Sequence, residues 1–258
     1  MPVSGWNESL TYNMHRFFVP PATLQTDPLV FPPDTARQIS AVLHLKAGQQ
    51  VNLLDNSGSE YEVELLTVGN KVVLGKILQK RPAVGEPAVQ VVLYLSLTQR
   101  EKFEWALQKC TEVGTAGFVP VITSRSLVQS TVEARSKYER WQKILQESAE
   151  QSNRGLIPAL YDPLRFGQAL VHARQNTQVC LIPWEKEEQS TLKSVLSKPE
   201  VHSRIGVFIG PEGGYSSDEV TLACQTGALP VSLGKRILRM ETAAVVTVAL
   251  ILNYFNEI

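Results

Sequence analysis

Residues 205–252 read IGVFIGPEGGYSSDEVTLACQTGALPVSLGKRILRMETAAVVTVALIL, and this stretch decides the fold. Residues 204–209 form a short strand of the fully buried type. Gly210-Pro211-Glu212-Gly213-Gly214 follows as a turn that glycine alone lets bend so tightly. Ser216 and Glu219 have the spacing of a capping box, which predicts a helix opening there and closing at Gly227. Residues 229–233 read as a second strand, Gly234 opens a second turn (235–240), and 241–255 reads as a last helix. A turn at a strand's carboxyl end presents main-chain N–H and C=O groups to a small ligand across the sheet edge. Such turns are also how any α/β protein connects its elements. Two of them side by side, with Gly213, Gly214 and Gly234 bare of side chains, leave connection and binding edge both open.

Outward from this stretch, the bulk numbers set limits. At 258 residues with 43% hydrophobic content, two unequal domains with a sizeable core are natural. Twenty-five basic residues balance twenty-five acidic ones, so any RNA partner must be held by a local patch or by shape. The three cysteines, Cys110, Cys180 and Cys224, lie far apart in apolar stretches. They fit neither a disulfide framework nor a metal site, and read as core filler in a reducing cytoplasm. No segment approaches the roughly 20 apolar residues of a membrane span. Residues 1–14 lack the basic region and apolar core of a signal peptide and read as a polar extension.

Residues 15–81 carry the punctuation of a small β domain. Strands at 51–55, 61–68 and 71–78 are joined by Asn56-Ser57-Gly58-Ser59 and by Gly69-Asn70, with a short helix at 35–45. Seven basic residues before Pro82 meet seven acidic ones, so charge gives little argument for RNA there. Residues 82–88 form a linker stiffened by two prolines. Beyond it the rhythm becomes strand and helix in alternation: strands at 89–97, 117–122 and 178–183, helices at 101–113, 136–151 and 190–196. That alternation predicts a parallel sheet covered on both faces.

The GPEGG turn, Leu233-Gly234 and the run Ile237-Leu238-Arg239-Met240-Glu241-Thr242-Ala243 resemble the cofactor signature of the SPOUT methyltransferases. Within that superfamily the chain is most similar to the 16S ribosomal RNA uracil-N3 methyltransferases. His15-Arg16-Phe17-Phe18-Val19, Lys109-Cys110-Thr111-Glu112-Val113-Gly114 and Gln151-Ser152-Asn153-Arg154 agree with that family in order along the chain. The resemblance implies an α/β fold: a PUA-like RNA-binding β-barrel at 15–81, then a SPOUT domain at 89–258 with a mostly parallel sheet and a trefoil knot. It also implies S-adenosylmethionine as cofactor, 16S ribosomal RNA in the small subunit as partner, no metal, and a homodimer in the cytoplasm.

By the same resemblance the cofactor would lie against Leu181, Ile182, Pro183, Ile209, Gly210, Pro211, Glu212, Gly213, Gly214, Leu233, Gly234, Ile237, Leu238, Arg239, Glu241, Thr242 and Ala243. RNA contacts would fall to His15, Arg16, Arg125, Gln151 and Arg154, with Arg16 the phosphate contact. Uracil N3 attacks well only once its proton has left, which calls for a base and for a cation facing the flanking carbonyl oxygens. Arg154 is the first choice for the cation and Arg239 the second. Arg154 can equally be a surface residue pairing with Glu150. The base stays unassigned between Glu212 and Glu241. The family's usual His and Arg are replaced by Gln38 and His44, which leaves open another RNA nucleotide as target. A dinucleotide-binding enzyme lacks its G-x-G-x-x-G here, and the intact 210–214 and 239–243 segments speak against a non-catalytic RNA-binding assembly factor. The last helix is apolar almost all round, which calls for burial on every side, within the domain or against a second subunit.

Overall fold

The computed structural model describes residues 14–69, 72–197 and 203–258. The polar extension expected at 1–14 falls outside them except for Met14, as do Asn70 and Lys71 of the expected turn and strand start. The chain divides between Val84 and Gly85 into two compact units.

The first unit is built on strands β1 (Arg16–Phe18), β2 (Leu29–Val30), β3 (Gln50–Leu54), β4 (Ser59–Val68) and β5 (Val73–Pro82). They form one sheet in the order β1-β3-β4-β5-β2. A short helix, α1 (Pro33–Arg37), runs into a wider turn at Gln38–Val42, where the Leu43 N–H donates to Gln38 O at 2.9 Å. Register shifts at Glu62/Val63 and Leu65/Thr67 interrupt the β4–β5 ladder, and such bulges bend and twist a strand pair. Phe17, Leu29, Ile39, Val51, Leu53, Val63 and Leu65 fill the core beneath.

The second unit follows the expected alternation: β6 (Gln90–Ser96), α2 (Arg100–Val113), β7 (Gly117–Ile122), α3 (Thr131–Arg135), α4 (Tyr138–Gln151), β8 (Ala159–Leu160) and β9 (Leu164–Arg165). Then come α5 (Phe166–Asn176), β10 (Val179–Pro183), α6 (Leu192–Leu196), β11 (Arg204–Ile209), α7 (Ser217–Gln225), β12 (Leu229–Val231) and α8 (Met240–Tyr254). The strands lie in the order β12-β10-β11-β6-β7-β8, with β9 also on β7, and every pairing is parallel.

The strands read as continuous apolar runs because both faces are covered. In β6, Val91, Leu93 and Leu95 point into a core shared with Phe103 and Leu107 of α2, Trp141 and Leu145 of α4, and Val248 and Ile251 of α8. Val92 and Tyr94 point the other way, onto Leu170 of α5 and Val220 of α7. Alternation in β7 (Phe118 against Val119) and β11 (Val207 against Phe208) repeats this division. Helix α5 had no counterpart in the sequence reading, although Phe166, Ala169, Leu170 and Ala173 mark a buried stripe at helical spacing. Of the cysteines, Cys110 is buried, Cys180 half-buried and Cys224 exposed, so Cys224 is not core filler. Burial pushes the Cys110 thiol up, and that of Cys180 up to about 12.

Candidate functional site

Because β10, β11 and β12 are parallel neighbours, their carboxyl ends share one sheet edge. The loops leaving that edge, the first turns of α8 and Lys102 of α2 enclose a cavity of about 590 Å³. Its walls are Lys102, Pro183, Trp184, Glu185, residues 209–215, Leu233, Gly234, residues 236–240 and Ala243. A volume of this size lies within the range of small-molecule sites.

Local chemistry holds the walls in place. Gly214 sits at φ +65°, a conformation that side chains disfavour, and its N–H donates to Pro211 O at 2.9 Å. The expected capping box is formed: Ser216 N–H donates to Glu219 Oε2 at 2.9 Å, and Glu219 N–H to Ser216 Oγ at 3.2 Å. The second Glu219 oxygen accepts from Ser124 N–H at 2.8 Å, tying the start of α7 to the loop after β7. Glu212 accepts a hydrogen bond from the Thr98 hydroxyl and pairs with Lys102 Nζ at 3.0 Å. Burial raises the Glu212 pKa, but hydrogen bonds from Thr98, its own backbone and Lys102, with the Lys102 charge, outweigh it and hold the carboxyl below its ordinary value. An ionised, paired Glu212 is a weak base and a good turn anchor. Arg125 donates to the Gly213 carbonyl, bracing the turn from outside.

Most of the expected cofactor set converges here: Pro183, Ile209, Gly210, Pro211, Glu212, Gly213, Gly214, Leu233, Gly234, Ile237, Leu238, Arg239 and Ala243 all line the cavity. Leu181 and Ile182 do not. They are strand-interior residues, buried one in each core. Glu241 and Thr242 lie in the first turn of α8 outside the lining; Thr242 is exposed, while one Glu241 carboxylate oxygen is buried without a partner among the described residues. Ile237 lines the cavity at its lip, where it is 87% exposed.

Arg154 needs the largest correction. It is only 2% exposed, and its Nε and Nη2 lie 3.2 and 2.6 Å from the two Glu86 carboxylate oxygens. Its Nη1 donates to the carbonyls of Thr111 and Thr115 at 3.1 and 2.6 Å. Arg154 thus closes the end of α2 and pins the segment before β6, away from the cavity lining. Arg16 is likewise engaged, in a 2.5 Å ion pair with Glu60, its side chain only 7% exposed. Glu60 also takes Arg81 at 2.6 Å, so Arg16 serves a buried charge cluster rather than offering a free cation to phosphate. His15, Arg125 and Gln151 are exposed.

Sequence reasoning missed Lys102, Trp184, Glu185 and Tyr215, and took in Arg236 and Met240 only as part of the second turn (235–240). Trp184 and Glu185 directly follow the β10 strand end, which is the one signal that could have found them. Trp184 Nε1 is buried without a partner among the described residues, an unmet donor in a cavity wall. Bare glycine backbone, apolar walls at Ile209, Leu233 and Leu238, two carboxylates and three cations suit a ligand with a flat apolar part and charges of both signs.

A family model described as RNA methyltransferase domain matches residues 85–252. The ribosomal RNA small subunit methyltransferase E of Synechocystis sp. is 30% identical over 249 residues, covering 96% of this chain and 80% of that protein. Its namesake from Bacillus subtilis is 30% identical over 230 residues, 87% and 89% of the two chains. The crystal structure of the Neisseria gonorrhoeae ribosomal RNA small subunit methyltransferase E bound to S-adenosyl methionine matches with a TM-score of 0.83 at 26% identity, over 93% and 98% of the chains.

Proposed function

The chain belongs to the RNA methyltransferase domain family, and we propose that it methylates N3 of a uridine in 16S ribosomal RNA, with S-adenosylmethionine bound in the cavity at the edge of β10, β11 and β12. The observation that carries this reading is the cavity itself. Beside the end of β10, the segments that leave β11 and β12 expose main chain at residues 210–214 and 233–234, and charged side chains stand around them. The relatives' names point to small-subunit ribosomal RNA, and the Neisseria structure holds this cofactor.

S-adenosylmethionine, when bound, supplies a methyl group already activated by a sulfonium. The protein's share is to position the two reactants and to manage charge on the base. As N3 loses its proton, negative charge spreads onto the flanking uracil oxygens. Arg239, exposed on the cavity lip with Arg236 nearby in the loop, is the cation offered to that charge. With Arg154 committed to Glu86, Arg239 takes the role first assigned to Arg154. Glu212 serves as the anchor of the GPEGG turn, which leaves proton removal to another group.

In the same reading the first unit is a PUA-like barrel that holds RNA, and the last third of the chain is a trefoil knot. The protein works in the cytoplasm as a homodimer. Leu250 and Tyr254, apolar and exposed on α8 at 47% and 37%, support a second subunit covering that face. Among the described residues no helix is long and apolar enough to cross a membrane. Mass spectrometry of 16S ribosomal RNA nucleosides from cells lacking the gene tests the function. Loss of N3-methyluridine, restored by the wild-type gene, is expected. An unchanged nucleoside profile contradicts it.

A further inference from the structure

Two carboxylates line the cavity, and they differ in one respect. Glu212 is engaged by Thr98 and by Lys102 at 3.0 Å. Glu185, on the loop leaving β10, has no hydrogen bond or ion pair among the described residues, and it is exposed to the cavity. Its two oxygens lie 3.5 and 3.7 Å from where a Cβ on Gly214 would stand. The carboxylate therefore faces the bare backbone of the GPEGG turn, with nothing between them. Its neighbour Lys186 is turned elsewhere, its Nζ 5.8 Å from the centre of the Trp184 ring.

An unpaired carboxylate across from uncharged main chain favours a ligand that brings positive charge. The methyl donor proposed above and its product share an ammonium and a carboxylate, but only the donor adds a sulfonium charge. In the transfer the N3 lone pair forms the new N–C bond, and the S–CH3 electron pair returns to sulfur. The donor thereby passes from a sulfonium to a neutral thioether, while the proton from N3 leaves to solvent. We propose that Glu185 is a specificity residue that holds the cationic donor in preference to the spent thioether, so that the transfer itself loosens the grip on the product. This inference rests on the S-adenosylmethionine reading of the cavity.

Calorimetric titration of the full chain with S-adenosylmethionine and with S-adenosylhomocysteine, for wild type and for Glu185→Gln, tests it. The amide keeps the shape and hydrogen-bonding reach of the side chain and removes the charge. For a partly solvated pair, affinity for the donor is expected to fall about three- to ten-fold, with affinity for the thioether nearly unchanged. Raising the salt concentration is expected to weaken donor binding in wild type and much less in Glu185→Gln. An equal loss for both ligands would assign Glu185 to the ammonium they share or to a structural role, and no loss would leave it outside recognition; each of these overturns the proposal. A wild-type chain that binds neither ligand overturns the cofactor reading itself, a separate result from a chain that binds both without discrimination.

Discussion

Replacing Arg154 by alanine separates a structural guanidinium from a catalytic one. The side chain is buried, with four donor contacts of 2.6–3.2 Å to Glu86, Thr111 and Thr115. Truncation leaves the Glu86 carboxylate bonded to the Gly155 and Leu156 N–H groups at 3.0 Å, with its countercharge gone. It also withdraws the donor from two carbonyls at the end of α2. Removing one partner of a buried pair costs about 3–5 kcal/mol. The Glu86 side chain is 24% exposed, and water there moves the expectation to the lower end, about 3 kcal/mol. For a unit of this size that corresponds to a fall of about 6–12 °C in Tm. Urea unfolding and calorimetry measure the loss, and cofactor titration well below the new midpoint should give wild-type affinity. A variant with wild-type stability and no methyl transfer would refute the reasoning and return Arg154 to the substrate.

Other outcomes are as specific. Burial, and secondly the Arg204 charge, hold His172 below its ordinary 6.5, with Nδ1 2.9 Å from the Tyr94 hydroxyl and the Tyr161 ring alongside. A depressed folded pKa means this contribution is complete above the unfolded value and is lost as pH falls through the folded one. Stability should therefore decline on acidification below about pH 6.5, and less steeply in His172→Gln; equal slopes would dismiss the assignment. Ser216→Ala removes half of the α7 capping box and should cost about 1 kcal/mol in urea unfolding. Leu250→Glu on the exposed face of α8 should turn a dimer into a monomer by light scattering, and a wild-type monomer would contradict the dimer.

Legibility followed the distance over which a signal acts. The capping box at Ser216 and Glu219, the glycine turn and the apolar runs of β6 and β11 are local features, and the structure has them where the sequence put them. The cavity was legible because parallel strand ends gather at one edge. What escaped were pairings across the chain. Arg16 meets Glu60 and Arg154 meets Glu86, and an arginine in a plausible motif looks the same whether its partner is RNA or a buried carboxylate. Leu181 and Ile182 belonged to the right strand but sit inside the sheet rather than at its end. Helix α5 was legible in the spacing of Phe166, Ala169, Leu170 and Ala173, in the gap between the helix expected at 136–151 and the strand expected at 178–183.

Blocking the cavity tests the central claim most directly, and the choice of position matters. A Cβ on Gly213 would stand 3.2 Å from Arg125 Cδ, and Gly234 sits at φ +104°, so a side chain at either position disturbs more than the ligand. Ala243 is half-buried in the second turn of α8, lines the cavity and has helical backbone that accepts leucine without strain. Calorimetric titration of Ala243→Leu with S-adenosylmethionine should show affinity at least about ten-fold below wild type, equivalent to about 1.4 kcal/mol, with Tm nearly retained. Wild-type affinity in a folded Ala243→Leu chain would mean that the cofactor binds elsewhere.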